Sequence, residues 1–289
     1  MIKLDVAHKN FINHLNTAGR SHSTVIAYKK DIEQLIEFLF KKGVNLVSEI
    51  NLEHLKEFMA KLTKEGFTAK SISRKTNSTK TFFRYLYEEG IIVENVSENL
   101  KHPKVDSKAP RILSKVEYRA LRDAVKGDIR TYAIVEILLQ TGIRISELAA
   151  IKTEDLTLNT SNPKIYIRKS GSNPAREIPL NKAAVTAINE YLKTREESKN
   201  DNLFVTKSGN PLLVRNIRAT IDRYFKAAGI ENAKVNDLRH TFVAHHLSAG
   251  VNITTISKIA GHKRVSTTER YLQYIEISVN TEKHELSEL

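Results

Sequence analysis

Between residues 155 and 180 the chain reads DLTLN (155–159), KIYIRKS (164–170) and REIPL (176–180), runs that alternate apolar and polar residues and are parted by Asn, Pro, Gly and Ser. A period of two suits a half-buried strand, because successive side chains leave opposite faces of a sheet. The three runs predict a small antiparallel sheet whose last two strands form a hairpin. On both sides the apolar spacing is helical. The expected fold class is therefore mainly α with one small antiparallel sheet.

Working outward from the sheet, Val25, Ile26, Tyr28, Ile32, Leu35, Ile36, Leu39 and Phe40 recur at three- and four-residue steps, predicting an amphipathic helix over 23–40. Further helices are expected at about 52–64 and 69–89, the latter carrying Ile72, Phe82, Phe83, Leu86 and Tyr87 with Gly90 just beyond its end. The stretch KHPKVDSKAPR (101–111) has two prolines and five basic residues, counting His102, and almost nothing apolar. It reads as an exposed basic linker. The expected organisation is a helical domain over 1–104, a linker over 105–111 and a second domain over 112–289. Ser114 and Glu117 make an S-x-x-E capping box, opening a helix with Val116, Tyr118, Leu121 and Val125. Ser208-Gly209-Asn210-Pro211 marks a turn between two later helices.

The formal charge is +13 over 289 residues. Clustered Lys and Arg gain free energy by displacing counterions from nucleic-acid phosphates, so a polyanionic partner is expected. The absence of Cys excludes disulfides and cysteine-ligated zinc or iron–sulfur sites. The start, MIKLDVAHKNFINHL, interrupts its apolar residues with Asp5, His8 and Lys9 and lacks the apolar centre of a signal peptide. The most apolar stretch, 131–143, contains Glu136 and Gln140 and is too short to cross a bilayer. A cytoplasmic protein with no membrane partner is expected.

Three segments could carry chemistry. In Thr141-Gly142-Ile143-Arg144-Ile145-Ser146-Glu147-Leu148 the glycine can end one helix and leave Arg144 on the first turn of the next. Pairing of Arg144 with Glu147, three residues on, is the plainer role. In Val235-Asn236-Asp237-Leu238-Arg239-His240-Thr241-Phe242, Asn236 suits a helix N-cap, with Arg239 on the same face. His240, His245 and His246 lack the i, i+4 pairing of a helical zinc site, so no metal centre is expected. In Gly261-His262-Lys263-Arg264-Val265-Ser266-Thr267-Thr268-Glu269-Arg270-Tyr271, Ser266 and Glu269 predict a second capping box, placing Tyr271 in the second turn of a short helix. Taken alone, a helical tyrosine is usually a packing residue.

Together these segments resemble the tyrosine recombinase, or phage integrase, family. Its pattern is an R-x-S-E-L arginine, a lysine in a β-hairpin, an H-x-L-R-H segment, a G-H segment and a tyrosine nine residues after that histidine. Here the pattern falls on Arg144, Lys169, Asn236 to His240, Gly261-His262 and Tyr271. The segments STVIAYKKDIEQLIEFL and LFVTKSGNPL extend the likeness over nearly the whole chain.

The resemblance implies a helical, SAM-like core-binding domain followed by a mixed α/β catalytic domain. It also implies chemistry without metal, ATP or other cofactor. Arg144 and Arg239 would hold the non-bridging phosphate oxygens, whose charge deepens as phosphorus becomes five-coordinate. Lys169 would protonate the leaving 5′ oxygen, with Arg168 as the competing choice because this hairpin is about two residues longer than the family's. His262 would hydrogen-bond the phosphate. Tyr271 would attack phosphorus and form a 3′-phosphotyrosyl link. Asn236 stands where the family carries a histidine; its amide cannot take and release a proton, though it can donate to a phosphate.

From Gly66 to Tyr87 no acidic residue occurs. Lys70, Arg74, Lys75, Lys80 and Arg84, interleaved with Ser and Thr, mark the helix expected in the DNA major groove, and Arg176 is a further expected backbone contact. The family closes on duplex DNA as a clamp and exchanges strands in a homotetramer on two duplexes, through a Holliday junction and in some cases with accessory proteins. The tail YIEISVNTEKHELSEL, with Ile275, Ile277 and Val279 as an apolar patch, is expected to form a short helix. A simple Xer-like or resolvase-like system is expected, serving dimer or cointegrate resolution or mobile-element integration. A type IB topoisomerase shares the chemistry. A DNA-binding regulator without catalysis is the reading from a different class.

Overall fold

The computed structural model describes residues 1–106, 108–171, 173–195 and 197–275. The chain divides into two compact units, Met1–Lys108 and Ala109–Leu289.

Among its described residues the first unit contains the α-helices α1 (Leu4–Thr17), α2 (His22–Lys41), α3 (Leu52–Lys64) and α4 (Ala69–Glu88), with a 3-10 turn at Val47–Glu49. Side chains of Ser21, Asn51 and Thr68 accept N–H bonds at the starts of α2, α3 and α4, satisfying backbone donors that a helix leaves without partners. The apolar stripes meet in a core that includes Phe11, Ile32, Leu35, Leu39, Phe58, Phe82 and Phe83. This core also encloses charge. Asp31 of α2 takes Lys75 Nζ at 2.9 Å, the Ser78 hydroxyl at 3.0 Å and the guanidinium of Arg74, all from α4.

The second unit contains α5 (Lys115–Val125), α6 (Ile129–Thr141), α7 (Ile145–Ala150), β1 (Leu156–Thr157), β2 (Lys164–Ile167), β3 (Arg176–Pro179), α8 (Lys182–Thr194), α9 (Val214–Ala227), α10 (Val235–Ser248), α11 (Ile253–Ala260) and α12 (Ser266–Glu269). A 3-10 helix, Arg270–Tyr274, follows α12. The sheet is antiparallel in the order β1-β2-β3, with Ile165 facing Ile178 and Ile167 facing Arg176. Ile165, Ile167 and Ile178 turn inward while Tyr166 stays exposed, the alternation that the sequence displayed. Helix α6 is buried nearly all round and packs against α8 and α10. Its interior Glu136 is matched by the guanidinium of Arg122.

The capping box at Ser114 and Glu117 forms, with Ser114 N donating to Glu117 at 2.8 Å and Glu117 N to the Ser114 hydroxyl at 3.2 Å. Val116, expected on the apolar face of that helix, instead points outward at 77% exposure, while Tyr118, Leu121 and Val125 are buried. The box expected at Ser266 and Glu269 is absent. Val265 is already helical and its carbonyl accepts from Thr268 and Glu269, so the turn starts one residue early and leaves Ser266 inside it. Tyr271 consequently lies in the 3-10 helix rather than in a second α-turn. The helix expected in the C-terminal tail lies outside the described residues from 276 onward. No described helix is long and apolar enough to cross a membrane.

Candidate active site

Two glycines that end helices build the frame. Gly142 follows α6 and Gly261 follows α11, both left-handed, with φ of 60° and 67°. A Cβ on Gly142 would lie 2.2 Å from the Phe242 ring, and one on Gly261 would lie 2.7 Å from the guanidinium carbon of Arg176. Glycine therefore answers to both backbone conformation and close approach here. Each glycine carbonyl also holds an arginine. Arg144 Nη2 donates to Gly261 O at 2.9 Å, and Arg239 Nη1 donates to Gly142 O at 2.6 Å.

Arg144 precedes α7, where its backbone N–H donates to Glu147 at 2.8 Å and its guanidinium donates to the same carboxylate at 3.1 Å. Glu147 also takes a two-pronged bond from Arg176, at 3.0 and 2.9 Å. Burial acts to raise the Glu147 carboxyl, but the bonds from Arg176 and from the Arg144 backbone outweigh it and hold it below its ordinary value. Arg176 is thus not the outward DNA contact expected of it. Its side chain is 9% exposed, and its Nε donates to Ile259 O at 2.7 Å, so its donors are spent inside the protein. Glu147 is the shared anchor of two arginines, a role that its i, i+3 spacing from Arg144 showed only in part.

Arg239 is 6% exposed and has no carboxylate partner among the described residues. Burial and then the neighbouring Arg144 push its guanidinium down to about 10. His262 accompanies it. Burial, followed by the charges of Arg239 and Arg144, pushes the imidazole down to about 4, and its Nδ1 lies 2.7 Å from the hydroxyl of buried Thr268. The His262 ring lies nearly parallel to that of Tyr271, centroids 6.4 Å apart. Tyr271 itself is buried, which raises its hydroxyl, while Arg239 pulls the other way. Its oxygen is 2.5 Å from Nδ1 of His240.

Asn236 does not cap α10. The helix begins at Val235, and the Asp237 carboxylate accepts the Lys234 N–H at 2.7 Å, leaving Asn236 within the first turn. Its amide reaches one turn along, to 2.7 Å from His240 Nε2. His240 stands in the sequence at the end of the H-x-L-R-H segment without a catalytic role, and Thr268 is not among the candidates there. The i, i+4 relation of Asn236 to His240 was the available signal for the first; nothing short of the fold reveals the second.

Lys169 makes none of the hydrogen bonds that tie this cluster together. It is exposed on the hairpin loop after β2, without a hydrogen bond or ion pair among the described residues, and lines a cleft of about 230 Å³ with Ser146 and Glu147. Its rival Arg168 is committed, bonding Asp155 at 2.9 and 3.1 Å and pairing with Glu154, contacts that raise its guanidinium further.

On α4 the five basic candidates divide. Lys70, Arg74 and Arg84 are exposed along one stripe with Asn77, and Lys80 is half-buried, donating to Glu98 O at 2.9 Å. Lys75 faces inward at 3% exposure, held by Asp31 and Gln34, so it cannot touch DNA. Thr76, Ser78 and Thr79 are buried as well. Among the described residues no group of His, Asp and Glu could hold a metal ion.

Comparison with known proteins gives the same picture along the chain. Residues 110–276 match the phage integrase family, and residues 9–90 match the phage integrase N-terminal SAM-like domain. A tyrosine recombinase XerC of Listeria welshimeri is 30% identical over 277 residues, covering 91% of both chains. A tyrosine recombinase of Pseudothermotoga lettingae is 30% identical over 273 residues, covering 93% of both. Among solved structures, XerA recombinase is 28% identical with a TM-score of 0.53, covering 93% of each chain. XerH bound to a palindromic difH substrate is 21% identical with a TM-score of 0.75, covering 86% of this chain and 76% of that one, and shares the fold. So does a lambda integrase dimer bound to a core site, 17% identical with a TM-score of 0.76, covering 93% and 77%.

Proposed function

This chain belongs to the phage integrase family of tyrosine recombinases, and from that premise we propose that Tyr271 cuts and rejoins DNA at a specific site by attacking a backbone phosphodiester. The enzyme class, a tyrosine recombinase carrying out site-specific recombination, follows from the family. The residue roles are our reading. One observation carries it: Arg144 and Arg176 share the Glu147 carboxylate, and buried Arg239, whose charge acts on both Arg144's neighbourhood and Tyr271, has no carboxylate partner among the described residues. That surplus of positive charge, held by rigid backbone carbonyls, suits a phosphate whose negative charge grows in the transition state.

Arg144 and Arg239 would grip the non-bridging oxygens, with His262 donating a third bond. Arg176 would act through Glu147 by fixing Arg144. Lys169, free on its loop, would protonate the departing 5′ oxygen, a role that Arg168 cannot fill while bound to Asp155 and Glu154. Tyr271 would be left joined to the 3′ phosphate until a 5′ hydroxyl reverses the step.

The partner is duplex DNA, and the exposed stripe Lys70, Arg74, Asn77 and Arg84 on α4 is its contact in the helical unit. We place the reaction in the cytoplasm, in a homotetramer on two duplexes, with accessory proteins where the site requires them. XerH and lambda integrase, whose structures hold DNA, are the models for that partner. Resolution of dimers or cointegrates and integration of a mobile element both use this chemistry.

The test is covalent trapping. Genomic fragments from the source cell, selected for binding and then nicked beside the cleavage point, should yield a protein–DNA adduct that survives denaturation. Tyr271→Phe should abolish it. An adduct persisting in that variant, or wild type that shifts DNA without ever forming one, would overturn the assignment.

A further inference from the structure

The hydroxyl that attacks phosphorus must lose a proton, and the family's histidine is not available at position 236 to help. Burial raises the Tyr271 hydroxyl, so the phenolate does not form unaided at neutral pH. Of the charged groups that act on it, Arg239 is a cation with nothing to accept a proton, and the Asp237 carboxylate accepts the Lys234 N–H at the start of α10 and makes no hydrogen bond to the Tyr271 oxygen among the described residues. His262 is engaged at Nδ1 by Thr268 and faces the tyrosine ring rather than meeting its oxygen. His240 alone, among the described residues, has a ring nitrogen in hydrogen-bond contact with the Tyr271 oxygen, at 2.5 Å.

We propose that His240, oriented by Asn236, is the general base that takes the Tyr271 proton during strand cleavage and returns it during rejoining. The proposal rests on Tyr271 being the nucleophile. An imidazole accepts at Nδ1 only when its proton sits on Nε2, which lies 2.7 Å from the Asn236 amide nitrogen. A half-turn of that amide exchanges its oxygen and nitrogen, so Oδ1 accepts from Nε2–H at the same position. With the nitrogen facing the ring, Nδ1–H donates to the tyrosine and holds it idle. With the oxygen facing the ring, Nδ1 is open to receive. Asparagine thus orients the imidazole in the way that the third member of a Cys-His-Asn triad does. Burial also depresses the His240 imidazole, opposed by Asp237 and assisted by Arg239, which keeps it neutral and able to accept.

The step balances. The Tyr271 O–H bond breaks as the oxygen–phosphorus bond forms, and the proton moves to Nδ1 of His240. The phosphorus–O5′ bond breaks and the departing oxygen takes a proton from Lys169. The imidazole ends cationic, the lysine neutral, and the phosphotyrosyl diester keeps one negative charge. Rejoining runs both transfers backwards. The position that departs from the family is therefore half of a rearranged pair, with the proton acceptor moved one helical turn along α10.

Single-turnover cleavage of a nicked suicide duplex tests this. His240→Ala should cleave about 100-fold more slowly than wild type while shifting the same DNA. Free imidazole should restore at least a tenth of the lost rate. Asn236→Leu should slow cleavage less than His240→Ala, and His240→Gln, which keeps the polarity of the site without a titrating ring, should be as slow as His240→Ala and as foldable as wild type. A substrate with sulfur in place of the bridging 5′ oxygen needs no proton on its leaving group, so it should rescue Lys169→Ala but leave His240→Ala slow. Cleavage by His240→Gln within threefold of wild type, or rescue of His240→Ala by the sulfur substrate to the level of Lys169→Ala, would overturn the proposal. Failure of the underlying reading looks different: Tyr271→Phe would then still form the adduct.

Discussion

Each unit buries a cation, and the two are treated in opposite ways. Lys75 in the helical unit is 3% exposed and fully answered, by Asp31 at 2.9 Å and by Gln34, with Ser78 and Arg74 completing the set. Arg239 in the catalytic unit is 6% exposed and is given one backbone carbonyl, while Arg144 and Arg176 share the Glu147 carboxylate. A closed network stabilises a fold. A network left short of negative charge is poised for an anion that is not part of the chain, at some cost in stability. The difference explains why two basic clusters of similar sequence character have different uses.

Breaking the closed network should give the largest effect on folding. Asp31→Ala leaves Lys75 buried without its counter-charge, and the helical unit should lose about 3–5 kcal/mol in denaturant unfolding. Arg239→Met should reverse the pattern. Adduct formation should fall by about 10²–10³ in rate, while stability stays within about 1 kcal/mol of wild type, because an apolar side chain of similar length removes an uncompensated charge. Equal loss of stability in the two variants would erase the contrast.

Acid should separate the units next. His246 of α10 is fully buried, packs edge-on to Phe242, has no hydrogen-bond partner for either ring nitrogen among the described residues, and is pushed down by burial to about 3; His262 is pushed down to about 4. Both folded values lie below the unfolded value of 6.5, so the unfolded chain takes up these protons first. The stabilisation is complete above pH 6.5 and is lost as pH falls toward 4, at no more than about 1.4 kcal/mol per pH unit per group. Calorimetry should show the catalytic transition dropping over that range, and His246→Phe should flatten the drop. The smallest effect belongs to the DNA surface. Lys70→Ala should reduce the slope of log affinity against log salt by about one unit, whereas Lys75→Met should leave it unchanged, since only the first side chain reaches solvent.

What the sequence disclosed was local. Alternation at 155–180 announced the sheet, the Ser114 and Glu117 box announced α5, and Gly142 announced a helix end beside Arg144. The misreadings came from partners distant in the chain. Lys75 and Arg176 look like surface cations until the fold brings Asp31 and Glu147 to them, 44 and 29 residues away. Helix starts slipped where a competing group won, as when the Asp237 carboxylate and not Asn236 capped α10. His240 stands in the sequence as the end of the H-x-L-R-H segment, but its role stays hidden there because its contact with Tyr271 spans 31 residues and two elements.

We assign the catalytic unit's unmatched positive charge to a phosphate attacked by Tyr271. The most direct test is to digest the trapped protein–DNA adduct and locate the phosphorylated residue by mass spectrometry. A 3′-phosphotyrosyl bond should be found at Tyr271 and nowhere else. Phosphate linked to any other side chain would contradict this assignment.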